Sequence, residues 1–276
     1  MKNILITGAN SFIGESVRDY LTAFPDQYNV RIKDTIGWEP NVADFKDTDC
    51  VFNVAGIVHI KETPENRRLY YEVNRDLVIK IAKAAKEAGV KQFILLSSMS
   101  VYGRVVGQIA KETPTHPVNA YSKSKAEADE AIEKLADADF KFACLRPPMV
   151  YGKGCKGKYQ RLRKLALVSP LFPNYQNQRS MIYIDNLCEF VKERIDKADG
   201  GLFFPQNSEY TNTAEMIRQI AEVHGKKIRL IKLFNWAVRI VPVQTVKKVF
   251  GDLIYIDEQD RVGKYNLKDS IIKSES

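Results

Sequence analysis

The sequence predicts a doubly wound α/β fold with a mainly parallel sheet and a smaller C-terminal lobe. Three observations carry that prediction. Short apolar runs alternate with amphipathic stretches through the first 145 residues, and strand–crossover–strand units of this kind close right-handed onto a parallel sheet. A glycine-bearing turn, Thr7–Gly14, joins the first apolar run to the first helical stretch. Beyond Arg146 the alternation loosens into Pro147-Pro148 and a Gly/Lys-rich loop over 152–158. The chain is therefore expected to divide into 1–145 and 146–276, with one or two segments of the second part returning to the sheet.

Each element follows from its pattern. Lys2–Thr7 reads as the first strand, and Ile13, Val17 and Leu21 at spacings of four give the next helix one apolar face. A second run, Val30–Ile32, ends at Asp34. Cys50–Ala55 and Gln92–Ser97 are further strand candidates, separated by a helical stretch over Asn66–Ala88. Ala120–Ala138, rich in Ala, Lys and Glu, predicts a helix, and Lys141–Leu145 the next strand. In the C-terminal part, helices are expected over Tyr159–Leu167, Ile184–Ile195 and Thr213–His224, and strands over Leu202–Phe204 and Lys227–Leu233. The apolar residues of Leu233–Phe250 read as core cover.

Composition narrows the class. With 276 residues, 45% of them apolar and 28% charged, the chain is neither disordered, collagen-like nor coiled coil, and it is long enough to bury a core without disulfides. Its four cysteines form no Cys-x-x-Cys pair, and His59, His116 and His224 stand apart from them and from each other. Neither a metal site nor a disulfide framework is signalled, and such usage suits a reducing cytoplasm. No run approaches the roughly 20 apolar residues of a membrane span, and the first apolar run breaks at Gly8, too early for a signal peptide. The net charge of +8 suits an anionic partner. A nucleic acid is disfavoured, because the basic residues follow no binding motif and no aromatic platform.

Two constellations carry chemistry. In Thr7-Gly8-Ala9-Asn10-Ser11-Phe12-Ile13-Gly14, a strand-to-helix turn points backbone amides and the positive helix end at a pyrophosphate. Asp34, 20 residues after Gly14, can accept hydrogen bonds from an adenosine ribose diol and would repel a 2′-phosphate, favouring NAD over NADP. The second is Tyr121-Ser122-Lys123-Ser124-Lys125. Tyr and Lys four apart share a helix face, so the Lys125 ammonium can favour a Tyr121 phenolate fit for general acid–base work. Ser98, in Ser97-Ser98-Met99-Ser100-Val101-Tyr102-Gly103, follows the preceding strand at the sheet edge where ligands bind.

With Leu145-Arg146-Pro147-Pro148-Met149-Val150-Tyr151-Gly152, these motifs resemble the extended short-chain dehydrogenase/reductase superfamily, in the family's order and spacing and over essentially the whole chain. Within it the chain is most similar to the NAD-dependent epimerase/dehydratase family, in the UDP-glucose 4-epimerase-like branch of surface-polysaccharide synthesis. The resemblance implies a Rossmann-type sheet with a substrate-binding lobe, an NAD cofactor, a UDP-linked sugar substrate and a homodimer through Asn66–Ala88 and Ala120–Ala138. It implies that Gly8, Ser11, Phe12, Ile13 and Gly14 meet the pyrophosphate and Asp34 the ribose. Val54, Ala55 and Gly56 would line the dinucleotide, Asn74 would brace the active-site strand, and Pro148 would follow the strand beside the nicotinamide. Ser98, Tyr121 and Lys125 would be the catalytic trio, Lys125 also holding a ribose. Ser98, Met149 and Arg179 would meet substrate, Arg179 on its diphosphate.

Four features depart from the family or discriminate within it. Ser11 replaces a glycine, adding a side chain and a hydroxyl where backbone should approach phosphate. Only 15 residues separate Asp34 from Cys50, too few for a strand and a full crossover helix. Met149 replaces a hydrogen-bonding Asn. Met99-Ser100 replaces the Asp-Glu pair of relatives that dehydrate the sugar, which disfavours dehydration. The six basic residues of 153–164 (Lys153, Lys156, Lys158, Arg161, Arg163 and Lys164) either form a solvated face or flank the substrate diphosphate. The expected activity is C4 epimerisation of a nucleotide-sugar. Reduction of a nucleotide-linked 4-keto-6-deoxy sugar is the alternative, and a non-catalytic dinucleotide sensor on the same fold is the alternative of another class.

Overall fold

A computed structural model describes residues 1–58, 60–233, 235 and 244–276. His59 and half of the 233–250 stretch (234 and 236–243) lie outside the described residues. Two compact units are present. The first comprises Met1–Gly103, Pro114–Pro147 and Cys188–Phe203, and the second Arg104–Thr113, Pro148–Leu187 and Phe204–Ser276.

The first unit is built on a six-stranded, wholly parallel sheet. Its strands are β1 (Lys2–Thr7), β2 (Tyr28–Lys33), β3 (Cys50–Asn53), β4 (Gln92–Leu96), β6 (Lys141–Leu145) and β10 (Gly201–Phe203), in the order β10-β6-β4-β3-β1-β2. Strand β5 (Gly107–Ile109) belongs to the second unit. From β1 the chain runs outward to β2 and then returns past β1 to β3, so the strand order reverses between β1 and β3. Open α/β sheets bind ligands at such a switch point, outside the carboxyl ends of the strands. The shortage of residues between β2 and β3 has a visible outcome: a single 3₁₀ turn, Val42–Phe45, replaces the crossover helix, and among the described residues no strand lies beyond β2. Phe45 closes the core in its place, packed with Val51, Val78, Ile81 and Phe93.

Helix α1 (Phe12–Thr22) buries Gly14, Val17 and Leu21. The stretch Asn66–Ala88 is α2 (Arg67–Tyr71), a π-helical turn over Glu72–Leu77, and α3 (Val78–Glu87). Helix α4 (Ala120–Glu133) starts under a capping box between Asn119 and Ser122. It stops well before Ala138, because the Asp137 carboxylate captures the amides of Asp139 and Phe140 and closes a turn. From within the second unit the chain comes back to this sheet: the later part of α6 (Ile184–Lys197) and β10 complete it, β10 pairing with β6, before the chain re-enters the second unit at Phe204. Gln92 fixes that return by donating to Arg194 O (2.8 Å) and Asp199 O (2.9 Å).

The second unit carries four two-stranded parallel pairs. Among them β7 (Met149–Tyr151) pairs with β9 (Met181–Tyr183), and β13 (Leu253–Tyr255) pairs with β5. Helices α5 (Lys158–Val168), α7 (Thr213–Val223) and α9 (Leu267–Glu275), the last following α8 (Gln244–Phe250), pack around them. All four cysteines are buried. Among the described residues no helix is long and apolar enough to cross a membrane, and no three His, Cys, Asp or Glu side chains gather as a metal would need.

Candidate active site

The turn after β1 is built for close approach. Gly8 adopts φ +102°, and a Cβ there would stand 2.9 Å from the Ala55 amide nitrogen. A Cβ on Gly14 would stand 2.9 Å from Val54 Cγ2. The amides of Gly8 and Ala9 donate to Lys33 O at the end of β2 (2.9 and 3.2 Å), which ties the turn to the neighbouring strand. Ser11 is the N-cap of α1: its hydroxyl donates to Gly8 O (2.7 Å) and accepts from Gly14 N (3.1 Å). The substituted side chain is thus folded into the loop as internal scaffolding. The amides of Phe12 and Ile13 open the helix and have no intrahelical acceptor. Asp34 is exposed immediately after β2, with Oδ1 accepting from Ile36 N (3.0 Å). A cradle that excludes side chains, a helix amino end and an exposed carboxylate beyond the adjacent strand together fit a dinucleotide pyrophosphate and its ribose.

Gly56 borders the second group. A Cβ on it would meet Asn74 Oδ1 at 2.9 Å and Lys125 Nζ at 3.2 Å. Asn74 accepts from Ile57 N (2.7 Å) and donates to Ile57 O (3.0 Å), so it braces the segment after β3. The π-helical turn carries Asn74, and such insertions concentrate at functional sites.

Ser98 follows β4 and caps a 3₁₀ turn, Met99–Tyr102, accepting from Ser100 N at 3.1 Å. Tyr121, in the first turn of α4, faces Ser98 and packs edge-on against Tyr70, ring centroids 6.4 Å apart. Burial lifts the Tyr121 phenol above its ordinary value, and Ser98 pulls it back. Lys125 Nζ donates to Leu96 O at 3.0 Å. Burial brings its ammonium down to about 8, opposed by Asp129. Asp129 and Tyr70 add to the effect of burial on the phenol. In the free protein it is Ser98 that eases the phenol.

The sequence reading missed the polar layer behind this trio. Asp129, one helical turn past Lys125, accepts from Ser97 Oγ (2.8 Å) and Arg146 Nε (3.0 Å), and Arg146 Nη1 donates to Tyr102 OH (2.8 Å). The available signal was an acid on the buried face of an amphipathic helix at i+4 from a lysine.

Pro148, Met149 and Arg179 lie in the second unit. Pro148 is buried just before β7. Met149 pairs in register with Met181. Arg179 Nη1 donates to Gly251 O (2.7 Å), while its main chain pairs with Thr211. Lys158 is pulled down by burial and by the charges of Arg179, Lys248 and Arg161, a gathering of cations. Arg163 stands outside that gathering, because its Nε is committed to Glu275 at 2.6 Å.

Comparison with known proteins accords with this geometry. The profile of the NAD dependent epimerase/dehydratase family matches residues 4–202. A UDP-glucose 4-epimerase from Vibrio cholerae is 30% identical, over 93% of this chain and 84% of its own length. The N-acetyl-alpha-D-glucosaminyl-diphospho-ditrans,octacis-undecaprenol 4-epimerase of Escherichia coli O157:H7 is 25% identical over 82% of this chain and 73% of its own. The UDP-glucuronic acid 4-epimerase of Bacillus cereus, solved in complex with NAD, superposes with a TM-score of 0.77 at 17% identity, covering 99% of this chain and 97% of that one, a likeness of fold. The chain is an enzyme of the NAD-dependent epimerase/dehydratase family, with NAD as its cofactor.

Proposed function

We propose that the protein is a C4 epimerase of a nucleotide-linked sugar, most simply a UDP-hexose, working through a transient 4-keto sugar. The observation that carries this reading is the convergence of Ser98, just past the carboxyl end of β4, with Tyr121 and the buried Lys125 on α4, Lys125 Nζ donating to Leu96 O at the end of the same strand. The similarity to the Vibrio cholerae UDP-glucose 4-epimerase supports the substrate class. NAD would be held by the Gly8–Gly14 turn, Asp34, Val54, Ala55, Gly56, Asn74, Tyr121, Lys125 and Pro148, and when bound it would supply a hydride acceptor that becomes a donor in return.

Tyr121, as phenolate, takes the proton of the sugar 4-hydroxyl, and Ser98 holds the oxygen by hydrogen bonding. The same phenol returns the proton when the opposite face of the keto sugar is presented. Lys125, as ammonium, stabilises the phenolate of the reacting state. Met99 and Ser100 offer no titrating group for loss of water, which separates this chemistry from dehydration. Arg179 and the neighbouring Lys158 neutralise the substrate diphosphate, and Met149 lines the sugar side. The protein is further proposed to act in the cytoplasm, in polysaccharide synthesis, as a homodimer through the stretches 66–88 and 120–138.

The test is direct. Purified protein mixed with UDP-glucose should yield the C4 epimer by proton NMR without consuming added NADH. Tyr121→Phe should lose roughly a thousandfold or more in kcat, within the range for a general acid–base group, and still bind NAD in calorimetry. Undiminished turnover in that variant refutes the assignment. NADH consumption in proportion to an added keto sugar would replace epimerisation with net reduction.

A further inference from the structure

We infer that Asp129 is the positioning residue that keeps Lys125 in its charged form, an inference that rests on the place of Lys125 in the proposed site. The two side chains lie one turn apart on α4, which puts them on one face, and both are withdrawn from solvent, at 3% and 4% exposure. The hydrogen bond of Lys125 Nζ is to a neutral carbonyl, Leu96 O. A neutral carbonyl repays little of the cost of burying an ammonium, and a nearby carboxylate repays much more.

That carboxylate is fixed from two other elements. Ser97, just past β4, donates to Oδ2 at 2.8 Å, and Arg146, just past β6, donates to the same oxygen at 3.0 Å. Arg146 is itself held by Tyr102, hydrogen-bonded at 2.8 Å and with its guanidinium 5.3 Å from the ring centroid. One buried anion therefore serves both the buried Lys125 and the partly buried Arg146.

The remaining titratable groups facing the carboxylate do not duplicate it. The Cys144 thiol, from β6, is pushed far up by burial and so stays neutral. Tyr121 and Tyr70 stand on the site side, where the carboxylate opposes the phenolate of Tyr121. Burial lowers Lys125 and Asp129 raises it, so loss of the carboxylate has one sign for Lys125.

The experiment follows the Cε resonance of Lys125 through a pH titration of the substrate-free protein labelled with ¹³C-lysine, assigned with Lys125→Met. The wild-type midpoint should lie at about 8. In Asp129→Asn it should fall by about one unit or more, a tenfold change in the protonation equilibrium, and Asp129→Glu should restore it. Arg146→Gln removes the competing cation and should move the midpoint upward, which keeps the idea testable should the asparagine variant fail to fold. The alkaline limb of kcat with UDP-glucose should move down in step in Asp129→Asn, with KM little changed. A midpoint unmoved in either folded variant overturns the inference. Because the titration needs no substrate, a shifted Lys125 in a protein that turns over no UDP-glucose would sink the proposed reaction and leave the coupling standing. Turnover with an unmoved Lys125 would do the reverse.

Discussion

Ser11 uses a hydroxyl to hold a loop that a glycine would hold by having no side chain. Its Oγ bridges Gly8 O and Gly14 N, so removing it should act as the loss of an N-cap. Ser11→Ala is expected to cost about 1 kcal/mol and Ser11→Gly only a few tenths, read from denaturant midpoints at constant m. The residue was legible as a departure; the destination of its hydroxyl depended on loop geometry that spacing does not encode. Lys125 gives a second prediction. Its ammonium titrates at about 8 in the fold, below the ordinary 10.5, so between those values the unfolded chain binds the extra proton and native stability rises with pH. Relative to Lys125→Met, wild type should gain about 3 kcal/mol across that window, measurable by urea unfolding at pH 7.5 and pH 10.5. A gap independent of pH would contradict it.

Among the elements, the π-helical turn over Glu72–Leu77 shows what periodicity hides. Asn66–Ala88 reads as one amphipathic helix because its apolar spacing survives the turn. The inserted register instead serves Asn74, whose amide meets both backbone groups of Ile57. Asn74→Ala strands that donor and acceptor and should cost about 1–3 kcal/mol, with slower exchange protection lost first at the Ile57 amide in hydrogen exchange. The shortened β2–β3 connection was legible in the opposite way, as arithmetic: 15 residues cannot form a strand and a crossover helix. What arithmetic left open was the replacement, a 3₁₀ turn that sends Phe45 into the core. Asp129 escaped notice because a buried acid on a helix rich in Glu and Lys looks like one more surface charge until its burial is known.

At the scale of the molecule, the sheet is completed by chain that arrives late. Strand β10 and the preceding helical residues belong to the first unit although they lie between two stretches of the second in sequence. Val191 and Ile195 are buried there, and Gln92 anchors the return. A fragment of residues 1–147 would leave β6 as an open edge beside uncovered apolar surface. It should show far-UV but not near-UV circular dichroism and bind ANS; a cooperative unfolding transition for that fragment would show that the late segment is dispensable. The alternation of strands and helices was enough to read the sheet, since parallel strands demand crossovers. The interleaving was legible only as a return of one or two segments, because β10 is three residues long and carries no pattern of its own.

The four buried thiols have a practical corollary. Cys50, Cys144 and Cys155 are all raised by burial, and none of the four is exposed; thiol chemistry needs the thiolate within reach of reagent. The native chain is accordingly silent toward maleimides, and a single cysteine engineered onto its surface would be the one site that takes a dye or spin label. Distances within the working enzyme thus become measurable without first stripping the protein of its own sulfur.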